Sequence, residues 1–319
     1  QFRHFDVSSN RGLTDQISYR SMSDGDFNVS HNHRYRFLIP KSVSLLKPYS
    51  GFIKSPKAVE NRDVEATKIL FFIFNCFIST ITAYILFYYL LSLNLNLIGS
   101  LLGSIVFITS RTTIINNGVP MIDSGQNLAV IIICSSILNN KINQLSILSP
   151  LLILTKETVF PLFFIPFTKR SFFSLKYIFS LFISILTFFL TRRFIDNLAL
   201  QENVDLMSSG NIFEILLLHM QKYLINLKQI LSLKGIHNLI FPTYAFLYIF
   251  GLIGFLNNKR DNTLKLPISI KIILPYTIIL GFISGDMGRM TFMSFPVIIP
   301  YISYGFSSVF DNYFLKKVN

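Results

Sequence analysis

From Ile69 to Ser92 the chain runs without one charged side chain, and it does so again from Thr291 to Phe310. A third apolar block, Ser171 to Leu190, is interrupted only by Lys176. Crossing a hydrocarbon layer of about 30 Å takes roughly 20 helical residues, so each block is long enough, or nearly so, to span a membrane. Helix is the required form, because backbone polar groups facing lipid must be satisfied within their own segment. Charged residues make up 14% of the 319 and hydrophobic ones 51%, whereas a soluble domain carries about 25% charge to cover its surface. The expected fold is therefore all-α: a multi-pass transmembrane helical bundle of about eight or nine spans, with interfacial helices on its outer face.

Candidate spans fall near 69–92, 96–111, 125–139, 144–155, 157–168, 172–191, 238–256, 267–284 and 290–311. If the chain starts outside, the short turns holding Lys141, Lys169 with Arg170, and Lys259 with Arg260 face the cytoplasm, as does the tail with Lys316 and Lys317. That arrangement obeys the positive-inside rule at four places. The segment 144–168 divides into two spans at Thr155–Thr158, since one span would put Lys169 and Arg170 on the other side.

Residues 1–68 then form an outer loop ahead of a transmembrane domain, 69–319, and a further outer segment covers about 192–237. In the first loop Leu38, Leu45, Leu46, Tyr49, Phe52 and Ile53 fall at roughly helical spacing, as expected of short helices on a membrane surface interrupted at Pro48. In the second, Phe213, Leu216, Leu217, Met220, Leu224, Leu227 and Leu231 share one face of an amphipathic helix. The chain opens at Gln1, and its first apolar block arrives only near Ile69. Either an N-terminal span has been lost or the chain begins outside the membrane.

The formal charge of +13 sits in loops between apolar blocks. It points to membrane topology and anionic lipid as partners and not to nucleic acid. Cys76 and Cys134 lie inside apolar blocks, where cysteine behaves as a small buried hydrophobe.

With this topology the polar residues beside the spans collect on the outer face: Asp15, Arg111, Asp123, Lys156, Glu157, Asp286 and Arg289. Ionisable groups at membrane segments are functional candidates by default. Each has a plainer role open to it: Lys156 and Glu157 as a paired helix cap, Arg289 as a partner for Asp286, and Asp123 as the N-cap of the next span. Asp24 and Asp26 flank Gly25 as turn residues. His31 and His33 have no further ligand at metal-site spacing, so no metal-binding residue is assigned.

The run Leu13-Thr14-Asp15-Gln16-Ile17-Ser18-Tyr19-Arg20-Ser21-Met22, followed by Arg34-Tyr35-Arg36-Phe37-Leu38-Ile39-Pro40, resembles the first outer loop of the GT-C superfamily of integral-membrane glycosyltransferases. Leu154-Thr155-Lys156-Glu157-Thr158 and Gly285-Asp286-Met287-Gly288-Arg289 running into Phe295-Pro296 are similar to later pieces of the same group. Many members carry adjacent acidic residues in the first loop, whereas Asp15 stands between Thr14 and Gln16.

The resemblance implies a mannosyltransferase-like enzyme of a bacterial inner (plasma) membrane, with its active site on the outer face. Its partners would be a polyprenyl-phosphate-linked sugar donor and an acceptor glycan, lipid or protein. Asp15 is implied as the base, with Asp123 as the second catalytic candidate. Tyr19, Arg34, Arg36, Lys156, Glu157 and Arg289 would bind substrate and phosphate. The resemblance leaves a divalent metal open and implies no other cofactor.

The chemistry suits this residue set. One positioned carboxylate can take the proton of an attacking hydroxyl. A phosphate leaving group, with a second pKa near about 6, needs no general acid but does need cations. The alternative is a transporter or flippase of lipid-linked sugars, which would show matched broken helices in paired repeats.

Overall fold

The computed structural model describes residues 14–52, 62–169, 172–199, 243–284 and 287–314, with the single residues 228, 232, 233 and 240. Among them there is no strand. A small group of helices comes first: α1 (Thr14–Ser23), α2 (His31–Arg34) and α3 (Leu38–Leu46), then a 3-10 turn, Lys47–Phe52. The main body follows with α4 (Arg62–Ser92), α5 (Leu97–Thr109), α6 (Arg111–Gly118), α7 (Asp123–Leu138) and α8 (Ile142–Leu152). A long 3-10 stretch, Glu157–Thr168, leads to α9 (Leu175–Leu198). The last helices are α10 (Tyr248–Asp261), α11 (Ile268–Lys271), α12 (Ile273–Ser284), α13 (Met287–Phe292) and α14 (Phe295–Phe314). The expected amphipathic helix around Phe213–Leu231 lies outside the described residues, as do Arg170, Asp286, Lys316 and Lys317.

Among the described residues two helices are long and apolar enough to cross a membrane, Glu65–Ser92 within α4 and the whole of α9. A third is obtained if α5 and α6, bent by 48°, count as one. Several other apolar segments are shorter or carry punctuation within them. Ser110 leaves α5 in an extended conformation and caps α6 by accepting from Thr113 N at 3.3 Å. Pro150 lies in α8, Pro161 and Pro166 in the 3-10 stretch, and Pro300 in α14.

Proline removes one backbone donor and so orphans one carbonyl of the preceding turn. At Pro300 the orphan is Pro296 O, four residues back, and the Tyr89 hydroxyl of α4 donates to it at 2.9 Å. In a 3-10 helix the orphan lies three residues back. Pro166 leaves Phe163 O, which accepts from Tyr177 of α9 at 2.7 Å. Pro161 leaves Thr158 O, which accepts from Tyr276 of α12 at 2.6 Å. Pro150 leaves Ser146 O, which accepts from the Ser180 hydroxyl of α9. Each interior proline of the described helices is thus answered by a hydroxyl from a different helix, and each answer is also a packing contact.

Small residues let other helices approach closely. A Cβ on Gly254 of α10 would run into the carbonyl of Tyr301, and one on Gly305 of α14 into that of Phe250. The α10 and α14 backbones therefore touch, as helices do in lipid where association rests on close packing. Ser149, Ser180 and Ser184 join α8 to α9 by hydroxyl contacts of 2.7 and 2.9 Å.

Helices α1 to α3 sit over one end of this body. Tyr19, Met22, Ile39 and Val43 bury against Leu70 and Phe71 of α4 and against Val119, Met121 and Ile122. Leu45 and Tyr49 remain exposed, on a face free to rest on a bilayer. The far end is marked by Lys169, whose Nζ donates to Ile137 O at the close of α7 at 2.6 Å. From there α9 returns to the end covered by α1 to α3, where Asp196 meets Arg34 at 3.3 Å.

Phenylalanine at position 89, 177 or 276 keeps the ring and deletes the donor, leaving a buried carbonyl unsatisfied at a cost of about 1–3 kcal/mol. Thermal unfolding of the purified protein should show each variant destabilised by that order. Tyr84→Phe, at an exposed position of α4, should change stability by less than about 0.5 kcal/mol.

Candidate functional site

Between α6 and α7 the chain makes a non-helical turn through Val119 to Ile122, whose carbonyls need donors inside the protein. Asn75, buried midway along α4, supplies them. Its amide nitrogen lies 3.1 Å from Met121 O and 3.4 Å from Asn116 O, while its oxygen accepts from Ser124 at 2.6 Å. The turn and the start of α7 are thereby fixed to α4, and Asp123 opens α7 facing inward.

Asp123 is not a helix cap. Ile122 occupies the N-cap position without a side-chain hydrogen bond, because the Asp123 carboxylate turns to two cations. Lys156 Nζ lies 2.9 Å from one oxygen and an Arg289 nitrogen 3.1 Å from the other. Lys156 and Glu157 do not pair with each other either: the chain turns there into the 3-10 stretch, and the two side chains go to different partners. Glu157 takes the Arg36 guanidinium as a fork, with Nε–Oε2 at 2.9 Å and a second close contact beside it. The remaining Arg36 nitrogen donates to the buried Tyr19 hydroxyl at 3.2 Å.

Arg289, on α13, joins the two candidate carboxylates. While one of its nitrogens holds Asp123, the other lies 3.5 Å from Asp15 Oδ2. Asp15 Oδ1 meets His33 Nε2 at 3.0 Å, and His33 Nδ1 lies 2.9 Å from the Ser30 hydroxyl and 3.2 Å from that of Ser18. Three carboxylates, Asp15, Asp123 and Glu157, thus interlock with Lys156, Arg289 and Arg36 at the end of the body beneath α1 to α3. Asp24 and Asp26 stay apart in the turn, where Asp26 accepts from Asn28 N at 2.9 Å and Asp24 pairs with Lys47.

Burial grades the cluster. The side chains of Asp123 and Lys156 are 6% and 1% exposed, those of Asp15 and Glu157 26% and 33%. A molecule arriving from outside meets Asp15 and Glu157 first. The hydrogen bond from His33 is the largest influence on Asp15, and with the charges of His33 and Arg289 it outweighs partial burial to hold the carboxyl down to about 2. Burial pushes the Tyr19 hydroxyl well above its ordinary value. Arg36 resists the same burial because Glu157 and Tyr19 hold its charge, and its value is raised.

Of the residues singled out by sequence, Asp15, Tyr19, Arg36, Asp123, Lys156, Glu157 and Arg289 meet here. Arg34 turns away to Asp196, and Arg111 is exposed at the start of α6. His33 was weighed only as a metal ligand, and Asn75 and Gln126 were not singled out. Gln126 lies one turn beyond Asp123 and is 1% exposed, and neither atom of its amide has a partner among the described residues. A polar residue such as Asn75 in an otherwise uncharged apolar run was the available signal. Among the described residues no three His, Cys, Asp or Glu side chains gather as metal ligands would.

Asn75→Leu leaves several turn carbonyls without a donor and should destabilise the protein by about 1–3 kcal/mol. Asn75→Asp, which keeps the volume and loses the donor, should do so by a similar amount, and thermal unfolding of both variants checks this. In comparisons with protein-family profiles, curated proteins and solved structures, the chain matches none.

Proposed function

We propose that the chain is an integral-membrane glycosyltransferase of the GT-C type, which moves a sugar from a polyprenyl-phosphate carrier to the hydroxyl of an acceptor glycan, lipid or protein. In this reading it crosses a bacterial plasma membrane about eight or nine times, with the cluster around Asp15 and Asp123 on the outer face. One observation carries the proposal: a partly open carboxylate, Asp15, is clamped by His33 and Arg289 above a closed Asp123–Lys156 pair.

Asp15 takes the part of the base. The acceptor hydroxyl approaches its outer side and attacks the anomeric carbon as the bond to phosphate breaks. Glycosyl transfer passes through an oxocarbenium-like state, in which the attacking hydroxyl turns acidic as its new bond forms. A carboxylate held near pKa 2 is then basic enough to receive the proton, although weaker than the ideal. Asp123, enclosed by Lys156 and Arg289, anchors the site: it fixes the Arg289 guanidinium that in turn orients Asp15.

The test is sugar transfer from a labelled polyprenyl-phosphate donor by purified full-length protein. Asp15→Asn should lower turnover on the order of 10² to 10⁴ with protein yield unchanged. Asp123→Asn should chiefly lower yield, since it strands a buried ammonium, at a cost of about 3–5 kcal/mol. Asp15 stays ionised at every pH well above 2, so activity should not fall on its account between pH 7 and pH 5. Normal transfer by Asp15→Asn removes the assigned base, and absence of transfer by the wild type from any such donor removes the proposal.

A further inference from the structure

α9 is long and apolar enough to cross a membrane, so its C-terminal end comes at the depth of lipid headgroups. Arg192, six residues before the end of that helix, is held by aromatic faces: its guanidinium carbon lies 4.3 Å from the Tyr35 ring centre and 4.4 Å from that of Phe188. Such contacts fix the plane of a guanidinium and leave its N–H edge for an acceptor. Among the described residues Arg192 has no ion pair, and its Nε–H is buried without an acceptor.

The neighbouring carboxylate does not answer it. Asp196 accepts from Tyr35 at 2.8 Å and from Arg34 at 3.3 Å. Arg34 spends another nitrogen on Val29 O at 3.4 Å, and its Nε–H too lacks an acceptor. Among the described residues two arginines, Arg34 and Arg192, thus stand at Tyr35 with one carboxylate, Asp196. In the cluster around Asp15, by contrast, Lys156, Arg289 and Arg36 are each already engaged by a carboxylate.

We propose that Arg192, with Arg34, forms a phosphate-binding site near the C-terminal end of α9, whose ligand is the phosphate headgroup of a lipid. A guanidinium fork matches two phosphate oxygens, and the apolar exterior of α9 gives the hydrocarbon chain its place. The site lies beside the Asp15 cluster: His33 touches Asp15, Arg36 holds Glu157, and Arg34 and Tyr35 stand between them in sequence, with successive Cα atoms about 3.8 Å apart. That the lipid is a glycosyl carrier rests on the transferase reading; the phosphate site does not.

The experiment is a binding titration of full-length protein in lipid nanodiscs with a long-chain isoprenyl monophosphate as the probe. Arg192→Gln should weaken binding at least about tenfold, Arg192→Lys less, and Lys259→Gln, on α10, not at all. A melting curve for each variant separates lost binding from lost fold, and the Lys variant keeps the charge if Gln proves unstable. Competition by inorganic phosphate at similar concentration would assign the site to free phosphate, overturning the lipid ligand. Equal competition by phosphatidylglycerol vesicles would reduce it to general headgroup attraction, which also overturns it.

Unchanged binding in folded Arg192→Gln sinks the site outright. Transfer is assayed separately. Binding that depends on Arg192 without transfer by the wild type leaves the site standing and the transferase reading fallen; transfer by the wild type with binding indifferent to Arg192 does the reverse.

Discussion

Every backbone carbonyl in an apolar body must find a donor, and this chain meets that demand at the points where proline removes one. A tyrosine or serine hydroxyl from another helix donates to each carbonyl orphaned by Pro150, Pro161, Pro166 and Pro300. An unsatisfied buried carbonyl costs about 1–3 kcal/mol, so each bond links a local break to one choice of neighbour. Tyr177 and Ser180 set α9 against the 3-10 stretch and α8, Tyr276 sets α12, and Tyr89 ties α4 to α14. The prolines in these helices thereby help to specify how the helices assemble.

The site follows from the same demand. The turn before α7 is irregular backbone inside an apolar body, tolerated because Asn75 supplies donors from α4. Once that turn is fixed, Asp123 is carried inward at the start of a helix, where the positive end of the macrodipole favours an anion. Lys156 arrives from the break between α8 and the 3-10 stretch, and Arg289 from the short α13. All three belong to interruptions in regular structure, where side chains can enter a helical body without displacing packed apolar faces.

This explains what could be read from the sequence. The long apolar blocks made the all-helical fold plain, and the polar break at Thr155–Thr158 marked a true division between two segments. Apolar length alone led to about eight or nine spans, whereas among the described residues two helices, or three with α5 and α6 taken together, are individually long and apolar enough to cross. The local alternatives open to the polar residues were Asp123 as a cap of its own helix and Lys156 with Glu157 as a paired cap. In the structure these pairings run between distant segments, Asp123 with Lys156 and Arg289, and Glu157 with Arg36. Neither hydropathy nor spacing carries that information. Arg192 escaped notice for a related reason: an arginine at the end of a span looks like ordinary membrane anchoring until Tyr35 and Phe188 are seen holding it.

Charge balance separates two tasks that the chemistry keeps distinct. A buried carboxylate is stable only if paired, and unpairing it strands its partner at a cost of about 3–5 kcal/mol, so Asp123 and Lys156 are committed to each other and to the fold. Asp15, nearer the surface, has one oxygen on His33 and the other toward Arg289, and an ionised carboxylate offers about four lone-pair sites. It can accept a further hydrogen bond without breaking those it has. Proton transfer to Asp15 would weaken its attraction to Arg289, whose hold on Asp123 remains. The enclosed pair thus keeps the guanidinium in place while the outer carboxylate changes charge, so protonation at the surface need not disturb the buried anchor.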